Sequence, residues 1–384
     1  MAYYSTNSDF VKKLDRDVLE FVNKGFEGRD EEQFNRLALR EFELLYNTAE
    51  VYRGYCKTKN LSPETITRWD EIPAVSSFAL RKLSSKDKKY CGVIELAKKR
   101  RPIYPDKSAV ELISSTNALM AKRFLFPDTE KIKMLFLAPP PEMAKGMVMA
   151  SGLKELEKRF GAADSEFIIS FSGLKLKRLL RALKSTEKTR QPVALMGASM
   201  VIDYFFDACK KEGIRFRLPE GSRMCESGGY MGRYTKCPKD EFIKKCGEVL
   251  GIEEDFCLNA FWVCESSTVY FDNALRNLFA GIKEERYKQV PPWSRVVVVD
   301  AHNFQRLPKG EPGLIRHYDI TNRAFSFAVQ TDKTGYETEK GFDVEGKSDK
   351  DIPSHPGGRF VTKVMDYFMS RQFSRVGAIY SGLG

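Results

Sequence analysis

The sequence predicts an α/β fold: a mainly parallel sheet, a helical N-terminal segment, a small β-rich subregion and a short C-terminal segment. Three observations lead there. The first hundred residues place apolar side chains at three- and four-residue steps, in "DVLEFVNKGF" and "EEQFNRLALREFELLYNTAEVYRGYCKTK", which is helical periodicity. From about residue 108, short apolar runs alternate with amphipathic stretches: "MLFLAPP", "EFIISF", "LKRLLRALK", "PVALMGAS", "VIDYFFDACKKEG" and "IRFRL". That alternation is the pattern of strands joined by covering helices, in which ligands sit beyond the carboxyl ends of the strands. Further on, "FCLNAFWV", "SRVVVVDA", "GLIRHYDI", "FSFAVQTD" and "GFDVEGK" are strand-like pieces separated by short turns, as in an antiparallel or barrel-like subregion. The expected divisions are a helical segment over 1–105, an α/β core with its β-rich subregion over 106–345, and a short segment over 346–384; "TEKGFDVEGKSDKDIPSHPGG" reads as a hinge or loop.

The 384 residues, 42% of them hydrophobic, suffice to bury a large core. The N-terminal "MAYYSTNSDFVKKLDRDVLEF" places charges among its apolar positions and lacks the apolar run of a signal peptide. No stretch approaches the ~20 apolar residues of a membrane span, so the expected location is the cytoplasm. The eight cysteines contain no C-x-x-C pair, which reads as reduced thiols rather than a zinc site. The net charge of +11 is concentrated in "KLSSKDKKY", "AKKRRP" and "KLKRLLRALKSTEKTR". Because the lysines alternate with helical-period leucines, the plain reading is solvated helix faces; such a surface also suits an anionic cofactor or an acidic protein, and with no aromatic-rich basic module nucleic acid is not expected.

Four constellations carry candidate chemistry. In "RLPEGSRMCESGGYMGRYTKC", Gly228, Gly229 and Gly232 bracket Tyr230; paired glycines let a backbone pass close to a ligand, and a fixed tyrosine stacks on a flat ring. A tight turn with a half-buried tyrosine would look the same. In "ELISSTNALMAKRF", Ser114, Ser115, Thr116 and Asn117 lead into a helix-forming stretch; hydroxyls and free N–H groups at a helix start hold phosphates, and equally make a plain N-cap. Glu265 follows the strand-like "FWVC" and is the type of carboxylate that holds Mg²⁺ beside a phosphate. Asp332 follows an alternating strand, where a carboxylate accepts hydrogen bonds from ribose hydroxyls. A surface acid at a strand end is the ordinary alternative for both.

These pieces, in this order, with "LPEGSRMCESGGYMGR", "PPWSRVVVVD" and "KGEPGLIRHYDITNRAFSFAVQTD", resemble the bacterial acyl-protein synthetase (LuxE-like) family of the adenylate-forming ligases, which include phenylacetate–CoA ligase. The resemblance implies an adenylate-forming ligase-like large domain that uses Mg-ATP to convert a carboxylic acid, fatty or aromatic, into an acyl-AMP, which a thiol then attacks. It implies a phosphate loop at 114–118, with Ser114, Ser115, Thr116 and Asn117 on ATP and Thr116 taking part in catalysis. Gly228, Gly229 and Tyr230 would lie along the adenine and acyl pocket. Glu265 would act in catalysis as the Mg²⁺ ligand, Asp332 would hold the ribose, and Lys347 would stand at the hinge.

The family's phosphate loop reads like TSGTTG, whereas "SSTNA" lacks its glycines; "FWVCE" stands for YGMTE, "TDKTG" for TEDLG, and Gly346-Lys347 for the hinge Gly-Arg. No cysteine follows Cys264, so self-acylation near the C-terminus is not expected. The expected acceptor is an external thiol, on an acyl carrier protein or coenzyme A, with an acyl-transfer protein as a further candidate partner in fatty acid metabolism. The alternative is a homologue that has lost adenylation and serves as a binding subunit.

Overall fold

The computed structural model describes residues 8–77, 79, 107–144, 148–171, 173–228, 237–263, 265–347 and 370–383. Helix α1 (Asp9–Asn23) starts where the Ser8 hydroxyl accepts from Val11 N, and α2 (Glu31–Thr48) where the Asp30 carboxylate accepts from Gln33 N; both are N-caps that satisfy otherwise orphaned donors. Their apolar stripes, Val11, Leu14, Val18 and Phe21 on one and Phe34, Leu37, Ala38 and Phe42 on the other, are buried. The sequence reads as one helical stretch through residue 59, but Ala49 is extended and α3 (Glu50–Thr58) begins anew after it. Strand β1 (Val75–Ser76) and helix α4 (Lys107–Phe124) follow.

Next come β2 (Lys133–Leu137), α5 (Val148–Phe160), β3 (Glu166–Phe167), β4 (Ile169–Ser170), β5 (Gly173–Leu174), α6 (Leu176–Thr189), β6 (Val193–Ala198), α7 (Ser199–Lys211), β7 (Arg223–Ser227), α8 (Lys239–Leu250), β8 (Cys257–Phe261), β9 (Tyr270–Phe271) and α9 (Ala274–Ala280). The chain continues with β10 (Lys288–Gln289), β11 (Ser294–Val299), β12 (Gly313–Asp319), β13 (Ala328–Glu337), β14 (Gly341–Lys347) and α10 (Val376–Ser381). Among the described residues no helix is long and apolar enough to cross a membrane.

The chain divides into two units. One comprises Met1–Met120, Trp262–Tyr270 and Tyr287–Asp349; the other comprises Ala121–Phe261, Phe271–Arg286 and Lys350–Gly384. The first holds the β-rich subregion, an antiparallel sheet in the order β10-β14-β13-β12-β11, with β1 pairing in parallel with β13. Its core includes the fully buried Trp293, Phe34 and Phe42, and Trp69 packs edge-on to Tyr318 at 4.8 Å.

The second unit holds the expected parallel sheet, in the order β3-β2-β6-β7-β8, with β9 at its edge beside β8. By chain order the parallel strands run 2-1-3-4-5, a doubly wound arrangement whose switch point lies between β2 and β6. There Gly197 stands opposite Leu137, and a Cβ on Gly197 would lie 2.9 Å from the Leu137 backbone oxygen; only glycine fits.

"IRFRL" is not the strand its alternation predicts. Ile214, Phe216 and Leu218 are buried, but their segment lies against the end of α8, with Phe216 N donating to Val249 O and Leu218 N to Leu250 O. Those helix-terminal carbonyls need donors, and they capture a segment whose alternation would equally suit a sheet. The strand forms later, at β7, where Arg223 begins it. That guanidinium is 1% exposed and uses all five N–H groups: Nη1 and Nη2 each donate to Asp128 at 2.7 Å, Nη1 to Leu125 O at 2.8 Å, Nη2 to Gly221 O at 2.7 Å, and Nε to Gly221 O at 3.1 Å. The rings of Phe126 and Phe256 lie 5.8 and 5.6 Å from it.

Two predictions follow from these buried charges. Arg223→Lys keeps the charge but loses the planar fork, so it should lower stability by about 3–5 kcal/mol, read as a lower urea midpoint. Glu41, buried on α2 with Asp15, Asp319, Arg323 and Arg40 around it, has its carboxyl pushed up to about 8, chiefly by burial and secondly by Asp15. The folded chain therefore holds a proton that the unfolded chain releases near pH 4.5, and stability falls as pH rises from there to about 8. In urea unfolding at both ends of that window, Glu41→Gln should gain on the parent by on the order of 1–3 kcal/mol toward the alkaline end.

Candidate functional site

The carboxyl ends of the parallel strands carry a polar group of side chains that the sequence does not announce. Leu137, Gly197, Glu226 and Asn259 are register partners on β2, β6, β7 and β8 and form one transverse row across the sheet. Register neighbours share a face. Here the Glu226 carboxylate accepts from Asn259 Nδ2 on one side and from the Ser199 hydroxyl, at the start of α7, on the other. Charge-assisted bonds of this kind fix a carboxylate firmly. One residue beyond the strand end, Gly228 turns the chain with φ +81°, and among the described residues, its chain neighbours aside, no atom lies within 4 Å of where a Cβ would project. The backbone is thus bare next to an anchored acid, at the edge of the sheet where ligands of such folds bind. Gly229 and Tyr230 lie outside the described residues. The signals for the missed group were a polar residue in the apolar run "CLNAF" and the acid placed just before the glycines.

Ser114, Ser115, Thr116 and Asn117 are not at a helix start. All four lie in the interior of α4, which already runs from Lys107. Helix N–H groups at such positions bond to the carbonyl four residues back, so no loop of free amides exists there. The buried Thr116 hydroxyl donates to Leu112 O at 2.9 Å and Ile113 O at 3.0 Å. Asn117 is a clamp: its Nδ2 donates to Ser267 O and its Oδ1 accepts from Val269 N, both at 2.9 Å. The physical reason for the misreading is that Ser, Thr and Asn favour helix starts through the same side-chain bonding that lets them sit mid-helix when a carbonyl or a neighbouring segment supplies partners.

The clamped segment is the one that contains Glu265. Asn322 Nδ2 donates to Glu265 O at 2.7 Å, Ser267 Oγ to Asn322 Oδ1 at 2.9 Å, Thr268 N to Asp319 Oδ2 at 3.2 Å and Trp293 Nε1 to Thr268 Oγ1 at 3.2 Å. Burial raises the Asp319 carboxyl above its usual range, opposed by the hydrogen bonds from Thr321 and Thr268. The Glu265 side chain is fully buried, 0% exposed. Among the described residues no group of three or more His, Cys, Asp or Glu is placed to hold a metal ion. A Mg²⁺ held here would therefore have Glu265 as a single carboxylate and take its other ligands from phosphate and water, which is how Mg²⁺ accompanies nucleotides.

Asp332 lies within β13 rather than after it, with Lys333 Nζ 3.6 Å from its carboxylate. The β13–β14 register sets Lys333 opposite Lys347, so the backbone of Lys347 pairs one residue along from Asp332. Cys264, the replacement in "FWVCE", lies outside the described residues.

The Asn117 clamp and a phosphate role separate cleanly by experiment. Asn117→Ala removes two buried bonds and should lower stability by about 1–3 kcal/mol, seen as a lower melting temperature, with no loss of nucleotide affinity beyond what unfolding explains. A weakened nucleotide affinity at unchanged melting temperature would instead restore the phosphate role.

The acyl-protein synthetase, LuxE, family model matches residues 3–348. The comparison with curated proteins returned no match. Among solved structures, an open conformation of 2-hydroxyisobutyryl-CoA ligase in complex with 2-HIB-AMP and CoA is similar at TM-score 0.56 and 13% identity, covering 85% of this chain and 78% of that one. The same ligase in the thioesterification state, again with 2-HIB-AMP and CoA, gives TM-score 0.58 and 12% identity over 84% of this chain and 69% of that one. These likenesses show a shared fold, that of the adenylate-forming ligases. The family model spans both units of the chain, and the chain belongs to the acyl-protein synthetase (LuxE) family.

Proposed function

We propose that this chain activates a carboxylic acid with Mg-ATP and passes the acyl group to an external thiol. In the first step a carboxylate oxygen of the acid attacks the α-phosphorus of ATP, and pyrophosphate leaves with the electron pair of the broken P–O bond. In the second a thiolate attacks the carbonyl carbon of the mixed anhydride, and AMP leaves. Catalysis of this type is largely positioning and neutralisation of phosphate charge.

The observation that carries the reading is the bare Gly228 turn at the carboxyl end of β7, beside a Glu226 carboxylate fixed by Ser199 and Asn259. A ring laid against Gly228 would meet backbone without a Cβ in the way, and the anchored acid would not swing into its place. Support comes from family membership and from similar ligases whose structures hold an acyl-AMP and CoA. We assign adenine to Gly228, Gly229 and Tyr230, the ribose to Asp332, Mg²⁺ to Glu265 and the hinge to Lys347, each as a role carried over from the family.

One observation favours a second reading, a homologue that binds without adenylating. Residues 114–117 offer no amide cradle, since they form the interior of α4, and phosphate neutralisation must then come from elsewhere.

Carboxylate-dependent exchange of labelled pyrophosphate into ATP tests the choice, with fatty and aromatic acids offered as a pool. The expected result is exchange in the parent, a loss of at least about 100-fold in Glu265→Gln and an increase of about tenfold in the KM for ATP in Asp332→Ala. Gly228→Val, which adds a branched side chain at positive φ, should impair exchange more than Gly25→Ala, also at positive φ but on the other unit. Absence of exchange across the pool, with ATP failing to bind, would leave the binding-subunit reading.

A further inference from the structure

Helix α6 joins the end of β3, through the β4–β5 hairpin, to the start of β6. Because β3 and β6 lie on either side of β2 and all three are parallel, α6 must run back along the sheet. Its first turn therefore stands at the carboxyl edge, the edge that holds Glu226 and Gly228. Leu176, Leu179, Leu180 and Leu183 face the core. On the opposite side Lys177, Arg181, Lys184 and Lys188 recur at steps of four, three and four, which aligns them in one stripe about 16 Å long.

The stripe is not neutralised from within. Among the described residues no carboxylate pairs with Lys177, Arg181 or Lys188, all of them exposed. The nearby acids are engaged elsewhere, Glu166 with Arg178 and Glu187 with Arg217 N. Lys184 is held 4.0 Å over the ring of Tyr380. In the β4–β5 hairpin, which leads directly into α6, Phe171 is 86% exposed. A free aromatic beside a row of cations is the composition of a protein contact, with one anchor and a charged rim.

From this we infer that the exposed face of α6, with Phe171, docks an acidic helical surface of the protein that carries the acceptor thiol, an acyl carrier protein. The inference rests on the proposed thiol transfer and names its acceptor. Coenzyme A fits this face poorly, since a small polyanion needs cations that converge on it, whereas these lie in a row along a convex helix. A helix with carboxylates at matching steps fits along the exposed Lys177, Arg181 and Lys188, and it would place its domain at the edge where the acyl-adenylate would form. Charge complementarity of this kind mainly speeds and orients encounter.

The test uses the full chain and fluorescently labelled, phosphopantetheinylated acyl carrier protein, with binding followed by anisotropy. Arg181→Glu with Lys188→Glu reverses the stripe, and Phe171→Ala removes the anchor without altering charge; circular dichroism checks that each folds. The expected result is binding by the parent that weakens as salt is raised, at least about tenfold weaker binding by the charge-reversal variant, and weaker binding by Phe171→Ala. No binding by the parent at low salt, or equal binding by all three, would overturn the inference. So would a stripe-dependent affinity for duplex DNA or anionic phosphatidylglycerol vesicles without affinity for the carrier. Pyrophosphate exchange, measured in parallel, tells the two proposals apart: exchange without carrier binding removes only this inference, and carrier binding without exchange removes only the adenylation step.

Discussion

The buried guanidinium of Arg223 is the contact on which the candidate site depends. A charge taken out of water is costly unless every donor finds an acceptor, and here all five do, with both oxygens of Asp128 and the carbonyls of Leu125 and Gly221. Because Arg223 is the first residue of β7, this arrangement fixes where the strand starts. The parallel register then follows residue by residue: Arg223 opposite Ala194, Glu226 opposite Gly197, and Glu226 opposite Asn259. A slip of one residue would turn Glu226 to the other face and part it from Ser199 and Asn259. The anchor at one end of the strand thus determines the chemistry available at the other.

A second polar arrangement, in the other unit, shows the same economy of partners. Asn117, Asn322, Asp319 and Trp293 hold residues 265–269 by bonds to their backbone and side chains. A segment with no regular ladder of its own must find such partners when buried. Its rigidity is therefore built from side chains of α4, β12 and the turns that follow or precede the strands, and the conformation of Glu265 is set by residues far from it in sequence.

The pattern of strands and helices was legible because periodicity reports burial directly. β2, β6, β11, β12 and β14, and helices α1, α6 and α7, lie where apolar spacing puts them; β8 forms where expected but pairs in parallel with β7 instead of joining the antiparallel subregion. "IRFRL" failed because alternation describes a half-buried extended segment, not the identity of its bonding partner, and α8 supplied carbonyls that a strand would otherwise have supplied. At the site, Gly228 was legible from composition. Ser199 and Asn259 were not, since each is an ordinary polar residue until the parallel register brings it to Glu226. Ser114 to Asn117 misled for the converse reason: their composition fits a helix start, and only the fold shows that α4 already runs from Lys107 and that Asn117 finds its partners at Ser267 and Val269.

That exchange of roles bears on what adenylation would require of this chain. A glycine-rich loop neutralises phosphate with backbone dipoles, which are present whatever the side chains; a helix interior has none to offer. Asn117 commits one of its two amide N–H groups to Ser267 O and its carbonyl to Val269 N. Turning it toward a phosphate would free a buried backbone donor and acceptor in the segment that carries Glu265. In the structure these bonds go to the segment that carries Glu265. With 114–117 inside α4, adenylation by this chain would have to take its phosphate neutralisation from a metal ion and cationic side chains rather than from backbone amides there.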